Sequence, residues 1–152
     1  MPQVAVVMGS KSDAEVMKAT TDVLETLGIS YEVLTISAHR SPEKVRQFGL
    51  AARERGFEVI IAGAGYAAAL PGVLASWTDL PVIGVPLPSS DLKGVDSLYA
   101  IVQMPAGVPV AAMTIGASGA RNAGYMAAAI LSIKYDRIRD AYAAYRKSLQ
   151  GS

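Results

Sequence analysis

Five short apolar runs, each followed by residues at helical spacing, constrain this chain most strongly. Val4–Met8 ends at Gly9, and Ala14–Leu27 then carries Val16, Met17, Thr20, Val23, Leu24 and Leu27 on one helical face up to Gly28. Tyr31–Ile36 forms the second run, and Pro42 opens a helical pattern through Val45, Phe48 and Leu50 to Gly56. Val59–Ala62 predicts a third strand, Pro81–Val85 a fourth and Val108–Ile115 a fifth. Helices are predicted over Ala67–Ser76, Asp96–Gln103, Gly119–Ser132 and Tyr135–Leu149. Strands alternating with helices predict an α/β fold with a doubly wound parallel sheet covered on both faces.

The chain has 152 residues, the usual size of one domain, and no linker or repeat divides residues 1–152. With 51% hydrophobic residues, it contains two uncharged stretches, Val59–Trp77 and Ser97–Ala120. Gly63, Gly65, Pro71 and Gly72 interrupt the first, and Pro105, Gly107, Pro109 and Gly116 the second, which argues against membrane spans. The surplus apolar surface predicts a homo-oligomer instead. A net charge of +1 without a basic stripe argues against nucleic-acid and membrane partners. With no cysteine and one histidine, thiolate and multi-histidine metal sites are excluded. No signal-peptide pattern opens the chain, so a cytoplasmic location is expected.

Ligands of doubly wound sheets bind beyond the carboxyl ends of the strands. After the first strand, Gly9-Ser10-Lys11-Ser12-Asp13 offers hydroxyls and a helix amino terminus to an anion, although helix capping alone also explains these residues. After the second come Ser37-Ala38-His39-Arg40-Ser41-Pro42. Arg40 can grip phosphate or carboxylate through two parallel hydrogen bonds, and His39 is the only side chain of its type. Histidine, with an ordinary pKa of about 6.5, both gives and takes protons near neutral pH. The pair points to an acid–base step on an anionic substrate, against the plainer reading of His39 as a surface or core residue. Gly63-Ala64-Gly65 after the third strand would let a planar ligand lie against bare backbone, and Pro86-Leu87-Pro88-Ser89-Ser90 makes a rigid turn after the fourth.

The segments at 7–13, 37–42, 61–65, 81–86 and Gly94–Val110 together resemble the PurE family, the class I N5-carboxyaminoimidazole ribonucleotide mutases of purine (IMP) biosynthesis. The resemblance implies a flavodoxin-like three-layer α/β/α sandwich, assembled as an octamer with active sites between subunits. The helix at about 135–149 would pack at such an interface. It further implies that the small ribonucleotide loses its N5 carboxylate as carbon dioxide, which then recarboxylates carbon 4, without metal, cofactor or ATP. Carried over by position, Ser10, Ser12, Asp13, Ser37 and Arg40 bind substrate, mainly its ribose phosphate. Ala64 and Gly65 flank the base and carboxylate, and His39 moves the proton.

One loop departs from that family's usual Gly-Ala-Gly-Gly-Ala-Ala-His-Leu-Pro-Gly. Here Tyr66 replaces a glycine and Ala69 a histidine. The first change restricts a backbone position that can use glycine's freedom, and the second removes a titratable group. Two expectations therefore stand side by side: an active mutase in which His39 suffices, or a catalytically silent scaffold, natural or engineered, that keeps the fold and assembly.

Overall fold

The computed structural model describes residues 1–151. Its strands are β1 (Val4–Met8), β2 (Tyr31–Thr35), β3 (Val59–Ala64), β4 (Val82–Pro86) and β5 (Ala111–Ala112), and its helices are α1 (Ala14–Thr26), α2 (Pro42–Ala51), α3 (Leu70–Trp77), α4 (Val95–Val102), α5 (Ala117–Leu131) and α6 (Asp136–Gln150). The strands form one parallel sheet in the order β2-β1-β3-β4-β5, the flavodoxin-like doubly wound arrangement. Val6 in β1 lies opposite Val33 on one side and Ile61 on the other.

Side chains alternate across the sheet, so each central strand feeds two cores. Val4, Val6 and Met8 pack with Met17 and Leu24 of α1, Ala120, Ala123, Ala127 and Leu131 of α5, and Ile138 of α6. Ala5 and Val7 face the other way, toward Val45 and Phe48 of α2, Leu74 of α3 and Ile101 of α4. This is why the buried strands read as unbroken apolar runs rather than as alternating ones.

Helix ends follow their local chemistry. α1 closes on Gly28 at φ 68°, with Ile29 N–H donating to Leu24 O and Gly28 N–H to Glu25 O. The same pair of bonds recurs at Gly56, φ 92°, where Phe57 N–H reaches Ala52 O and Gly56 N–H reaches Arg53 O. Thus α2 stops at Ala51, and turns carry the chain on to the expected glycine. Other boundaries differ more. β3 runs two residues past Ala62, because Gly63 and Ala64 keep parallel pairing with Val85 and Pro86. β5 covers only Ala111–Ala112 of the expected Val108–Ile115: Pro109 has no N–H to donate, and this edge strand has β4 as its only neighbour. α3 begins at Leu70 rather than Ala67, because Tyr66 takes a left-handed backbone and Ala68 N–H turns back onto Gly65 O. A 3-10 turn at Lys11–Asp13 precedes α1. No described helix is long and apolar enough to cross a membrane.

α1 and α5 lie close because α5 presents Ala120, Ala123, Gly124, Ala127 and Ala128 at helical spacing. The buried Thr20 hydroxyl donates to Ala120 O at 2.7 Å. A Cβ on Gly124 would come within 2.8 Å of Val23 Cγ1. Glycine ordinarily costs an interior helix position up to about 1 kcal/mol relative to alanine, so its presence here marks close contact rather than weak helix design. Gly124→Val is expected to destabilise the fold by about 1–3 kcal/mol through overpacking. A lower urea midpoint at unchanged slope would register this; an unchanged midpoint would show that the helices part freely.

Candidate active site

β1 and β3 are sheet neighbours, but the helices that follow them cover opposite faces, α1 on one and α3 on the other. Their outgoing loops separate and leave a crevice at this switch point. A cavity of about 380 Å3 occupies it. Ser10, Ser12, Asp13, Ser37, His39, Arg40, Ala64, Gly65, Tyr66 and Ala69, the residues singled out from the sequence, all line this one cavity.

The loop after β1 is held by its own hydroxyls. Ser10, in an extended conformation, accepts from Ser12 N–H at 3.3 Å, and the two hydroxyl oxygens lie 2.9 Å apart. Asp13 N–H donates to Ser10 O at 3.1 Å. Helix capping and ligand binding are therefore not alternatives here: Ser10 caps the 3-10 turn and still borders the cavity. The amino-terminal end of α1 behind it favours negative charge.

After β2, Ser37 fastens the turn that carries His39 and Arg40. Its carbonyl accepts from Ser41 N–H at 2.9 Å and its hydroxyl from Arg40 N–H at 3.2 Å. Both side chains are exposed, and neither has a hydrogen-bond or ion-pair partner among the described residues. An unpaired guanidinium beside an imidazole is equipped to receive an anion and to transfer a proton.

The third wall comes from β3 and its loop. Leu87 N–H donates to Ala64 O, tying the loop after β4 to the end of β3. A Cβ on Gly65 would stand 1.8 Å from Ser89 Oγ, so that contact requires glycine. Gly9, Ala38, Ala67, Ala68, Leu70 and Ser89 complete the lining without having been singled out as site residues. Ser89 lies in the turn noted after the fourth strand, so the loop was legible but not its contact with Gly65. The small and apolar members carry no chemical signature.

The AIR carboxylase family model matches residues 3–152. The chain belongs to this family. It is 54% identical over 150 residues to the N5-carboxyaminoimidazole ribonucleotide mutase of Pyrococcus abyssi, covering 99% of this chain and 85% of that protein. The corresponding mutase of Aquifex aeolicus is 60% identical over 134 residues, covering 88% and 79%. Treponema denticola PurE superposes with a TM-score of 0.88 at 29% identity, covering 99% of this chain and 93% of that one.

Within this AIR carboxylase fold, Asp13 is the cavity's electrostatically costly member. Burial pushes its carboxyl pKa above the ordinary 3.8, and a hydrogen bond from the Ser10 backbone only partly offsets this. A raised folded-state pKa means that the unfolded chain ionises first as pH rises, so the native protein loses stability from about 3.8 upward. Asp13→Asn lacks that loss. The variant's melting temperature relative to the parent is expected to rise as the pH climbs above about 3.8 and then to level off; a difference independent of pH would contradict it.

Proposed function

We propose that this chain is an N5-carboxyaminoimidazole ribonucleotide mutase of purine biosynthesis, acting from the cavity at the β1–β3 switch point. The observation that carries the reading is the meeting of an unpaired Arg40, the lone His39 and the hydroxyls of Ser10 and Ser12 around one cavity. The mutases from Pyrococcus abyssi and Aquifex aeolicus support it through near full-length similarity. No observation favours a catalytically silent scaffold.

In this reading Ser10, Ser12 and Arg40 hold the phosphate, and Asp13 accepts from ribose hydroxyls. Ser37 contributes by fixing the turn, and Ala64 and Gly65 flank the heterocycle from the cavity wall. The N5–carboxylate bond breaks to release carbon dioxide, and the nitrogen receives a proton from the His39 imidazolium. Carbon 4 then attacks the trapped carbon dioxide and gives its proton back to His39. Protons and charge balance over the cycle, so the reaction calls for neither cofactor nor metal. Retention of carbon dioxide demands a closed site, and a neighbouring subunit can provide the closure.

That requirement agrees with the surface. Val95, Tyr99 and Val102 of α4 form an exposed apolar stripe, and Tyr99 alone is 64% exposed. With the octamer and the α6 interface that the resemblance to the PurE family implies, residues 1–152 would act as one domain of a cytoplasmic homo-octamer. Light scattering at micromolar concentration is expected to give a multiple of the chain mass; a monomer would overturn the assembly.

His39→Asn is expected to lower the rate of carboxylate migration by about 10²–10⁴-fold while leaving the oligomer mass unchanged. Turnover retained in this variant, measured by conversion of the N5-carboxylated to the C4-carboxylated ribonucleotide, would remove His39 from proton transfer.

A further inference from the structure

Tyr66 and Lys93 are the residues other than glycine that lie in the left-handed backbone region, Tyr66 at φ 51°. A Cβ makes that region unfavourable, and bulky side chains adopt it rarely. Such a conformation persists where something compensates, and it concentrates at ligand sites. The turn around Tyr66 is closed by Ala68 N–H on Gly65 O, but no side-chain contact among the described residues compensates: the ring is 63% exposed and has no hydrogen bond or ring contact with another described residue. Other tyrosines are engaged. Tyr31 donates to Glu25 and Tyr135 to Glu58, while Tyr125, Tyr142 and Tyr145 stack on one another. Tyr99 belongs to the apolar stripe of α4.

The place that Tyr66 occupies supplies the missing explanation. It borders the cavity directly after Gly65 and before Ala69, whose methyl group leaves room on the same wall. We propose that Tyr66 is a ligand-binding residue whose ring closes over the planar heterocycle of the bound ribonucleotide. This rests on the reading of the cavity as a ribonucleotide site. A tyrosine face covers a heterocycle with little loss of side-chain freedom, and its polar edge remains in water. The unliganded protein carries the backbone strain, and ligand contact offsets it.

Calorimetric titration of the intact protein with aminoimidazole ribonucleotide and, separately, ribose 5-phosphate tests the assignment. Tyr66→Gly is expected to weaken ribonucleotide binding about tenfold, as for loss of one stacked aromatic, and to leave ribose 5-phosphate unaffected. Tyr66→Phe keeps the ring and stays within about twofold of the parent for both ligands. The melting temperature of Tyr66→Gly is expected to equal or exceed that of the parent, because a strained Cβ is gone. Unchanged ribonucleotide affinity in Tyr66→Gly overturns the proposal. So does equal weakening toward ribose 5-phosphate, a fall in melting temperature, or a change in oligomer mass that makes Tyr66 a subunit contact. A parent protein that binds neither ligand overturns the ribonucleotide reading itself and this proposal with it. Tight parent binding that is lost in Arg40→Ala but indifferent to Tyr66→Gly overturns only the role of Tyr66.

Discussion

The position of β1 is the constraint from which the rest of the structure follows. Its five residues are at most 3% exposed, and neighbouring strands pair with both of its edges. Full burial of a valine or methionine side chain is worth about 1.5–3 kcal/mol, so a break in this run would cost the molecule its central seam. Because β2 lies on one side and β3 on the other, the chain must reverse its direction of sheet growth here. The reversal sends α1 to one face and α3 to the other, and it opens the crevice between their starting loops. Cavity and core are thus consequences of one strand order.

How far the fold can be read from the chain depends on burial. Central strands, buried on both faces, announce themselves as continuous apolar runs, and the glycines expected to end the first two helices agree with the left-handed closures at Gly28 and Gly56. Of the two edge strands, β2 keeps its five residues, whereas β5, with Pro109 inside its apolar run, shrinks to two. The start of α3 was hidden for another reason. Ala67, Ala68 and Ala69 favour helix, but the backbone of Tyr66 and the Gly65 turn keep the first two out of it and leave Ala69 as its cap.

The same distinction governs the site. Ser10, Asp13, His39 and Arg40 carry chemistry that is visible in isolation, and their loops follow adjacent strands, so their convergence was legible once the strand alternation was. Ser89 was not assigned, because its significance depends on an approach to Gly65 across 24 residues of chain that only the β3–β4 pairing creates. Ser37 was read as a ligand contact, whereas its hydrogen bonds give it the further task of fixing the His39 turn. Neither property has a local signature.

Local costs collect at one end of the sheet. Asp13 is held against desolvation, Tyr66 against its backbone preference, and Lys93 and Gly94 take successive left-handed conformations after β4 at φ 56° and 93°. Loops that follow the strands carry all of these, while within the sheet local preference and packing agree. Disagreements of this kind persist when a rigid framework supplies enough stability to offset them. Here β1, β3 and β4 are that framework: their packing lets the adjoining loops keep an ionisable carboxyl and a strained tyrosine around one crevice. A sequence optimised for stability alone would place glycine at residue 66 and an uncharged residue at 13. That this chain does neither is what the ligand proposed for the crevice would account for.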